Sequence, residues 1–390
     1  EHHLTELKGD GVMKFLDCVI VNPKISLKKG KVYPFIEMAN VSTSYREPLL
    51  IEYKSFDSGA KFQDGDTVIA RITPCLQNGK RFYCKNIGTG FGSTEYLVFR
   101  PKNKLVNNLF LYYFMQTEFI KLQMINSMVG ATGRQRVNNN VFNDIKLNLP
   151  DIKIQKNIGK TLSAYDDLIE NNQKQIKLLE EAAQRLYKDW FVDLRFPGYE
   201  DTLIVDGVPE GWKKEKLIDI ANIQYGFAFD GSLFNTQGKG TPIVRIRNIP
   251  NGITNDYTTQ EADEQYTVSN GDIVVGMDGE FHINSWSGNT AYLVQRTCKF
   301  EPKKEIMRGW LLQAIYEPIK FFEKTVVGAT VAHLGKKHID TIELLTGPDE
   351  LYVPFEYLFQ KRQLLLNQNI LLAEARDRLL SKLMSGELEV

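Results

Sequence analysis

Residues Ile158–Trp190, IGKTLSAYDDLIENNQKQIKLLEEAAQRLYKDW, form a long stretch without proline and with a single glycine, Gly159. Alternating steps of four and three residues reach ten positions, of which nine are apolar: Ile158, Leu162, Tyr165, Ile169, Asn172, Ile176, Leu179, Ala183, Leu186 and Trp190. A hydrophobic period of 3.5 residues is typical of a helix that packs lengthwise against another helix. The stretch therefore predicts one half of a coiled coil.

The C-terminal part of the chain supplies a partner for this helix. Leucines recur there at seven-residue intervals, at Leu351, Leu358, Leu365, Leu372 and Leu379. A helix over Ile152–Trp190 would be about 58 Å long, too long to bury its seam on a domain at one end. We therefore expect the two helices to pack against each other in antiparallel orientation. Asn172 and Asn369 fall at or near the seam, either as tolerated polar residues or as residues that fix the register.

Composition limits the classes of protein that the chain can represent. Its 390 residues suffice for two or three domains. Lys and Arg together number 48, as do Asp and Glu, and this neutrality argues against a protein that coats nucleic acid indiscriminately. The four cysteines lack CxxC spacing, so we predict neither a zinc site nor a disulfide framework. A reducing cytoplasm is the expected location, and no apolar run approaches the length of a membrane span.

The residues that precede each long helix repeat weakly along the chain. Five matches occur in the same order: Phe15–Asp17 with Leu217–Asp219, Pro34–Val41 with Pro242–Ile249, Gly65–Val68 with Gly271–Val274, Val129–Thr132 with Val327–Thr330, and Leu178–Leu179 with Leu371–Leu372. After the first match, the offset falls from 208 to 193, as shorter loops in the second copy would produce. Matches that keep their order indicate an internal duplication.

The predicted fold class is α+β, with two similar mixed α/β domains that are each followed by a long helix. The two helices are expected to form an antiparallel intramolecular coiled coil. We expect the first domain at 1–150, the first spacer helix at 151–195, the second domain with its preceding linker at 196–348, and the second spacer helix at 349–390. The first domain should contain strands at Val32–Ile36, Thr67–Ile72 and Tyr96–Phe99 and a helix over Asn108–Met128.

Motifs of common enzyme classes are missing from the sequence. It contains no GxGxxG, GxxxxGK[ST], HExxH or GxSxG. Pro150-Asp151 and Pro348-Asp349 stand where a strand leads into a helix, so helix capping explains them better than nuclease chemistry. The acidic pairs Asp166-Asp167 and Glu180-Glu181 are expected to be solvated on helix faces. The sequence therefore disfavours a methyltransferase or nuclease that acts alone.

Candidate ligand contacts lie in short polar segments. The strongest is a loop with Thr132, Arg134, Gln135, Arg136, Asn138 and Asn139. Such side chains make bidentate hydrogen bonds to guanine and adenine edges or bind phosphates. Its counterpart in the second copy contains Thr330, His333, Lys336, Lys337 and His338, and two weaker clusters are Arg71, Gln77, Asn78, Lys80 and Arg81, and Arg245, Arg247 and Asn248. Ordinary surface charge is the alternative interpretation of all of them.

Several of these segments together resemble a known family. The most specific segments are Leu149-Pro150, Ile154–Ile158, Leu178–Leu186 and Trp190–Asp193, supported by Pro209-Glu210-Gly211-Trp212 and the Gly-Ala-Thr turns. Over essentially its whole length the chain resembles the specificity subunit of type I restriction-modification systems. It departs from the family pattern after Pro348, where Phe359-Gln360-Lys361 replaces the usual Glu-Gln pair.

This resemblance implies a non-catalytic subunit that recognises DNA for methylation and restriction. Each of two target-recognition domains would read one half of a split site in double-stranded DNA, while the helices set the gap and dock two methyltransferase subunits. Motor-nuclease restriction subunits would join that core. S-adenosylmethionine, ATP and magnesium would belong to these partners, and no cofactor is expected on this chain. The alternative is a coiled-coil scaffold with two ligand-binding domains and no role on DNA.

Overall fold

The computed structural model describes residues 12–102, 104–325 and 332–390. The chain divides into two compact units. Unit 1 comprises Glu1–Asn171 and Asn369–Val390, and unit 2 comprises Asn172–Gln368. Each unit therefore combines a globular part with a portion of both long helices.

The globular part of unit 1 is built from short strands and helices. The strands are β1 Val12–Lys14, β2 Val19–Val21, β3 Val32–Ile36, β4 Glu52–Ser55, β5 Ala60–Phe62, β6 Thr67–Ala70, β7 Arg81–Tyr83, β8 Gly90–Gly92, β9 Tyr96–Pro101 and β10 Lys146–Asn148. The helices are α1 Phe15–Cys18, α2 Asn108–Phe114, α3 Glu118–Asn126, α4 Val141–Asp144 and the long α5 Ile152–Tyr187. One antiparallel sheet has the order β2-β9-β6-β7, and a mixed sheet has the order β4-β3-β8-β5.

Strand β9 is buried on both faces because it separates two hydrophobic cores. Successive side chains of a strand point to opposite faces. Tyr96 and Val98 therefore enter a small core that includes Phe82, while Leu97 and Phe99 enter the main core beside the helices. This double burial explains why the predicted strand is a continuous apolar run instead of an alternating one. All three predicted strands of the first domain are confirmed.

The single helix predicted over Asn108–Met128 is wrong, since the segment forms α2 and α3 with a break at 115–117. Asn107 caps the N-terminus of α2, and its side chain accepts a hydrogen bond from the Phe110 amide at 3.1 Å. At the break, the Thr117 hydroxyl donates to the Phe114 carbonyl at 2.8 Å. Thr117 thus satisfies a terminal carbonyl of α2 just before α3 begins.

The globular part of unit 2 repeats this arrangement. Its strands are β11 Ile204–Val205, β12 Val208–Pro209, β13 Lys213–Lys216, β14 Ala221–Tyr225, β15 Phe234–Asn235, β16 Thr241–Val244, β17 Tyr257–Thr258, β18 Thr267–Val268, β19 Ile273–Gly276, β20 Ile283–Ser285, β21 Ala291–Leu293, β22 Thr297–Pro302 and β23 Glu343–Thr346. Its helices are α6 Leu217–Ile220, α7 Arg308–Ala314, α8 Tyr316–Thr325 and α9 Lys336–Ile339, followed by the long α10 Val353–Ser385.

The order of strands confirms the internal duplication. The sheet β14-β22-β19-β20 has the same order as β2-β9-β6-β7. The second sheet, β15-β17-β16-β21-β18, contains one parallel pair, β16 with β21, which corresponds to the parallel pair of β3 with β8. The pairing of β13 with β23 likewise corresponds to that of β1 with β10.

The hydrophobic seam of the first long helix is confirmed, because all ten seam positions are buried or half-buried. Helix α5 continues into a π-helical turn at Lys188–Val192. The leucine repeat of the second helix is less central than predicted. Leu351 lies in a 3-10 turn before α10, and the other four leucines are half-buried beside fully buried residues such as Phe355 and Leu383.

The antiparallel pairing of the helices is confirmed within each unit. In unit 1 Asn157 of α5 is 3.5 Å from the carbonyl of Val390, and Asp166 binds Arg376 of α10. In unit 2 Asn172 donates to Gln368 at 3.4 Å, and Glu180 accepts from Arg362 at 2.7 Å. In both units a later residue of α5 faces an earlier residue of the C-terminal segment.

The expectation that Asp166 is solvated is wrong, since it is 1% exposed. Its carboxylate accepts hydrogen bonds from the Tyr113 hydroxyl and from Arg376. A buried carboxylate is tolerated only where a cation and hydrogen bonds replace its water. The cation comes from a position 210 residues later, which helical periodicity cannot reveal.

A second buried ion pair attaches the globular part of unit 1 to α5. Arg46, which is 1% exposed, donates to Glu170 at 2.7 and 2.6 Å and to Asp167 at 2.6 Å. Burial opposes the charge of Arg46, but these hydrogen bonds outweigh it and raise its pKa above the usual value. The guanidinium therefore stays charged and fixes the loop that carries it to the helix.

Within the described parts of the chain, no helix is both long enough and apolar enough to cross a bilayer.

Candidate nucleic-acid interface

The two predicted polar clusters of the first domain meet, in part, at one edge of the antiparallel sheet. Strands β6 and β9 are antiparallel neighbours, so the end of β6 lies beside the start of β9. The Arg71 amide donates to the Glu95 carbonyl at 2.8 Å, and the Val137 amide donates to the Arg71 carbonyl at 3.0 Å. These bonds attach the predicted loop to this edge. We call it edge A, formed by Arg71, Gln77, Glu95, Arg134, Gln135 and Arg136.

Edge A presents an arginine that a carboxylate holds in place. The Nε and Nη2 atoms of Arg136 donate to Glu95 at 2.9 and 2.7 Å. The hydrogen bonds that Arg136 donates to Glu95, together with the negative charge of Glu95, raise the pKa of Arg136. The Arg136 side chain nevertheless remains 45% exposed. Arg134 and Thr132 on the same loop are exposed, so the edge offers a second arginine to solvent beside the oriented one.

Arg71 connects edge A to a basic cleft. Its Nη2 atom donates to the Val137 carbonyl at 3.0 Å. It also lines a cleft of about 470 Å³, together with Lys24 and Lys61. Gln77 lies near the same edge, and its amide donates to the Thr73 hydroxyl at 3.2 Å. This side of edge A is suited to bind an anionic group.

Other predicted residues of the first domain serve local contacts. Lys80 donates to the Met38 carbonyl at 2.7 Å, and Arg81 donates to the Gly79 carbonyl at 2.9 Å. Asn78 is exposed, and so are Asn138 and Asn139. The Asn138 side chain accepts from the Asn140 amide at 3.0 Å, which shapes the turn after the loop.

The equivalent edge of unit 2 has backbone hydrogen bonds that correspond to those of edge A, but its side chains differ. The Met277 amide donates to the Arg296 carbonyl at 2.9 Å, and the Leu334 amide donates to the Met277 carbonyl at 2.7 Å. Asp278 and His333 face each other in an isolated bridge, as Ile72 and Arg136 do in unit 1. We call this edge B, formed by Asp278, Arg296, His333, Lys336 and Lys337.

Edge B is organised around the Asp278 carboxylate. His333 Nδ1 lies 2.6 Å from Asp278 Oδ1, and Arg296 Nε lies 3.3 Å from Asp278 Oδ2. Lys336 and Lys337 are exposed in the first turn of α9. His338 is turned inward, since it accepts from the Gly335 amide at 3.1 Å and its ring stacks on Phe322. Thr330 lies outside the described residues.

In the third predicted cluster, Arg247 and Asn248 bind the buried carboxylate of Asp256. Arg247 and Asn248 donate to Asp256, each at 3.1 Å to Oδ2. The Arg245 guanidinium lies 5.5 Å from the centre of the Phe234 ring. Burial raises the pKa of Asp256, but the hydrogen bonds from Arg247 and Asn248 outweigh burial and lower it. These contacts give Arg247 and Asn248 a structural role whether or not they also touch a ligand.

Asp256 should make the stability of unit 2 depend on pH under acidic conditions. Because its pKa is lowered in the folded state, its contribution is complete above the unfolded pKa of about 3.9 and disappears as pH falls through the folded value. In urea unfolding followed by tryptophan fluorescence, Asp256→Asn should lose less stability than the unsubstituted protein below about pH 4. Asp263→Asn, at an exposed residue, should follow the unsubstituted protein. Identical pH profiles for all three proteins would contradict this role.

Sequence reasoning missed Glu95, Asp278 and Arg296. A signal for two of them exists in the repeat, because Glu95 and Arg296 directly precede equivalent strands, β9 and β22. Their offset of 201 lies between the offsets of 206 and 198 that flank it. Neither residue belongs to a matching motif, since the two copies carry opposite charges there.

Among residues 12–102, 104–325 and 332–390, no group of three or more His, Cys, Asp or Glu side chains is arranged to hold a metal ion.

Comparisons with known proteins agree with the duplicated fold. The type I restriction enzyme MjaIX specificity subunit of Methanocaldococcus jannaschii is 25% identical over 309 residues, which are 74% of this chain and 71% of that protein. The EcoBI specificity subunit of Escherichia coli is 32% identical over 137 residues, 35% of this chain and 29% of that protein. The crystal structure of a type I restriction-modification S subunit from M. genitalium shares the fold, with a TM-score of 0.54, 16% identity and 98% of both chains covered.

The family model for the type I restriction modification DNA specificity domain matches twice, at residues 12–181 and 209–350. The first match contains edge A and the second contains edge B, and each includes a complete copy of the antiparallel sheet. On this evidence the chain belongs to the family of type I restriction-modification DNA specificity subunits.

Proposed function

We propose that the two globular domains each read one half of a gapped DNA site, the first through edge A and the second through edge B. Members of this family recognise DNA, and catalysis resides in partner subunits. The observation that carries the proposal is the pair of edges. Each edge has an equivalent set of backbone hydrogen bonds, but the two edges differ in their polar side chains. One scaffold with two sets of side chains is what recognition of two different half-sites requires.

The long helices would hold the half-sites apart and dock two methyltransferase subunits, with restriction subunits joining that core. The proposed boundaries are 1–150, 151–195, 196–348 and 349–390. Apolar side chains that are exposed to solvent on the long helices of each unit support docking of the methyltransferase subunits. Leu168 and Leu371 in unit 1 are 53% and 65% exposed, and Tyr357 and Leu364 in unit 2 are 59% and 54% exposed. Tyr357 and Leu364 lie seven residues apart on one face of α10, and an exposed apolar patch favours a protein partner.

Methylation mapping tests the proposal as a whole. The chain would be expressed with a methyltransferase partner in a host that lacks other DNA modification, and methylated bases would be located across its genome. The expected result is one motif with two defined halves and a fixed gap. The competing scaffold function predicts no motif and no salt-sensitive, sequence-dependent binding of the complex to duplex DNA.

Replacing Arg134 and Arg136 with alanine should impair recognition of only one half-site. Each bidentate arginine contact to a base contributes about 1–3 kcal/mol of discrimination, so preference at the contacted base pairs should fall by roughly 10- to 100-fold. The measurement is binding of the methyltransferase complex to duplex libraries that are randomised in one half at a time.

Arg185→Ala is a matched control, because Arg185 lies on α5 with an 83% exposed side chain. It should leave both half-sites unchanged. An equal loss at both half-sites in the Arg134/Arg136 variant would contradict independent reading by the two domains.

A further inference from the structure

We propose that Arg296 contacts a guanine of the half-site read by the second domain and that Asp278 is its positioning residue. This inference rests on the proposed function and assigns the residue that confers its specificity. The residue of edge B at the position equivalent to Arg136 is His333 instead, because His333 bridges Asp278 as Arg136 bridges Ile72.

Edge A and edge B each hold one arginine against one carboxylate, but these residues come from different segments in the two edges. In edge A the arginine, Arg136, comes from the loop and the carboxylate, Glu95, precedes β9. In edge B the arginine, Arg296, precedes β22 and the carboxylate, Asp278, follows β19. Each edge thus keeps one arginine–carboxylate pair, although Arg296 occupies the position equivalent to Glu95 and Asp278 the position equivalent to Ile72.

The exposure of the two arginines is also similar. The side chain of Arg296 is 49% exposed, compared with 45% for Arg136. A carboxylate on one side and solvent on the other leave part of each planar guanidinium available. Guanine presents the O6 and N7 acceptors side by side in the major groove, which matches two parallel N–H donors of arginine.

The backbone of Arg296 supports a role for its side chain. Its φ angle is +72°, in the left-handed region that glycine adopts readily and that most other residues avoid. A strained backbone at a non-glycine residue persists only where the surrounding structure enforces it. A glycine would relieve this strain, so the backbone alone does not favour an arginine at this position.

His333 completes the support of Arg296. Its Nδ1 atom is 2.6 Å from Asp278 and 3.1 Å from Arg296 Nη1. One ring nitrogen cannot donate to the carboxylate and accept from the guanidinium at the same time. The shorter contact indicates that Nδ1 carries a proton and donates it to Asp278. Arg296 therefore lies alongside the ring. Asp278 and His333 together restrict the guanidinium before DNA binds, which lowers the entropy cost of binding.

The test compares single variants of the chain in complex with its methyltransferase partner, on duplexes randomised in the half-site that the Arg134/Arg136 variant leaves intact. Arg296→Ala should reduce discrimination at one G·C pair by roughly 10- to 100-fold. Arg296→Lys should retain part of it, because lysine cannot form the bidentate pair. Asp278→Asn should weaken discrimination at that same base pair by a smaller factor.

Arg296→Gly separates recognition from folding. Glycine suits the left-handed backbone, so this variant should be at least as resistant to urea as the unsubstituted protein, yet it should lose the same base preference as the alanine variant. Arg308→Ala is the matched control, since Arg308 also pairs with a carboxylate, Glu305, at 2.9 Å in unit 2. It should leave discrimination unchanged.

Two results would overturn the inference while the proposed function stands. One is full discrimination at every position of this half-site in Arg296→Ala. The other is a uniform loss of affinity for all sequences, which would identify a phosphate contact. If the unsubstituted complex shows no sequence-dependent binding, the proposed function itself fails.

Discussion

Arg376→Met is expected to lower the free energy of unfolding of unit 1 by about 3–5 kcal/mol, because it leaves the Asp166 carboxylate buried without its cation. Both side chains are almost fully buried, at 4% and 2% exposure. The Tyr113 hydroxyl still donates to Asp166, but one neutral hydrogen bond cannot replace a charge-assisted pair. Few single substitutions on the helices should destabilise this unit as much.

Hydrogen exchange resolved by peptide is the appropriate measurement. The tryptophans Trp190, Trp212, Trp286 and Trp310 all lie in unit 2, so fluorescence does not report on unit 1. Amides of α2, which carries Tyr113, should exchange faster in the variant. Arg378→Met is the control, because Arg378 is 82% exposed and a surface pair contributes at most about 1 kcal/mol.

A second substitution tests the cause of the loss. Adding Asp166→Asn to Arg376→Met removes the unpaired charge and should recover part of the lost stability, since a neutral amide is less costly to bury than a carboxylate. If the double variant is less stable than Arg376→Met alone, the buried charge is not the origin of the effect.

Adding one heptad to both long helices should lengthen the gap between half-sites by up to about three base pairs. Seven residues extend a helix by about 10.5 Å, and each base pair of B-DNA occupies about 3.4 Å. Within unit 2, contacts at Asn172–Gln368 and Glu180–Arg362 place the residue after Gln175 near Leu365. The two insertions therefore belong after Gln175 and after Leu365.

Methylation mapping of the lengthened protein gives the gap directly, and the sequences of both half-sites should be unchanged. Insertion after Gln175 alone is the control. It moves the two helices out of register, so the contacts of Glu180 and Asn172 with α10 cannot both form, and methylation should decrease sharply. An unchanged gap in the doubly lengthened protein would show that the helices do not set the spacing.

The candidate site was predictable only in part. The loop at Thr132–Arg136 and Arg71 stand out as polar residues in the sequence, and both lie at edge A. Their carboxylate partner Glu95 does not stand out, because a single acidic residue before a strand has no periodicity. Arg296 is hidden for a further reason. The repeat aligns it with Glu95, so a search for equivalent arginines in the two copies passes over it.

The sequence by itself determined the duplication, the two long helices and their antiparallel pairing. These follow from apolar periodicity and ordered matches, which are local properties that survive changes of individual residues. Only the tertiary structure decided which charges are buried and which are presented to solvent. Asp166, Arg46 and Arg296 depend on partners far away in the chain, and the energy of an ion pair depends on distance and burial, neither of which sequence spacing contains.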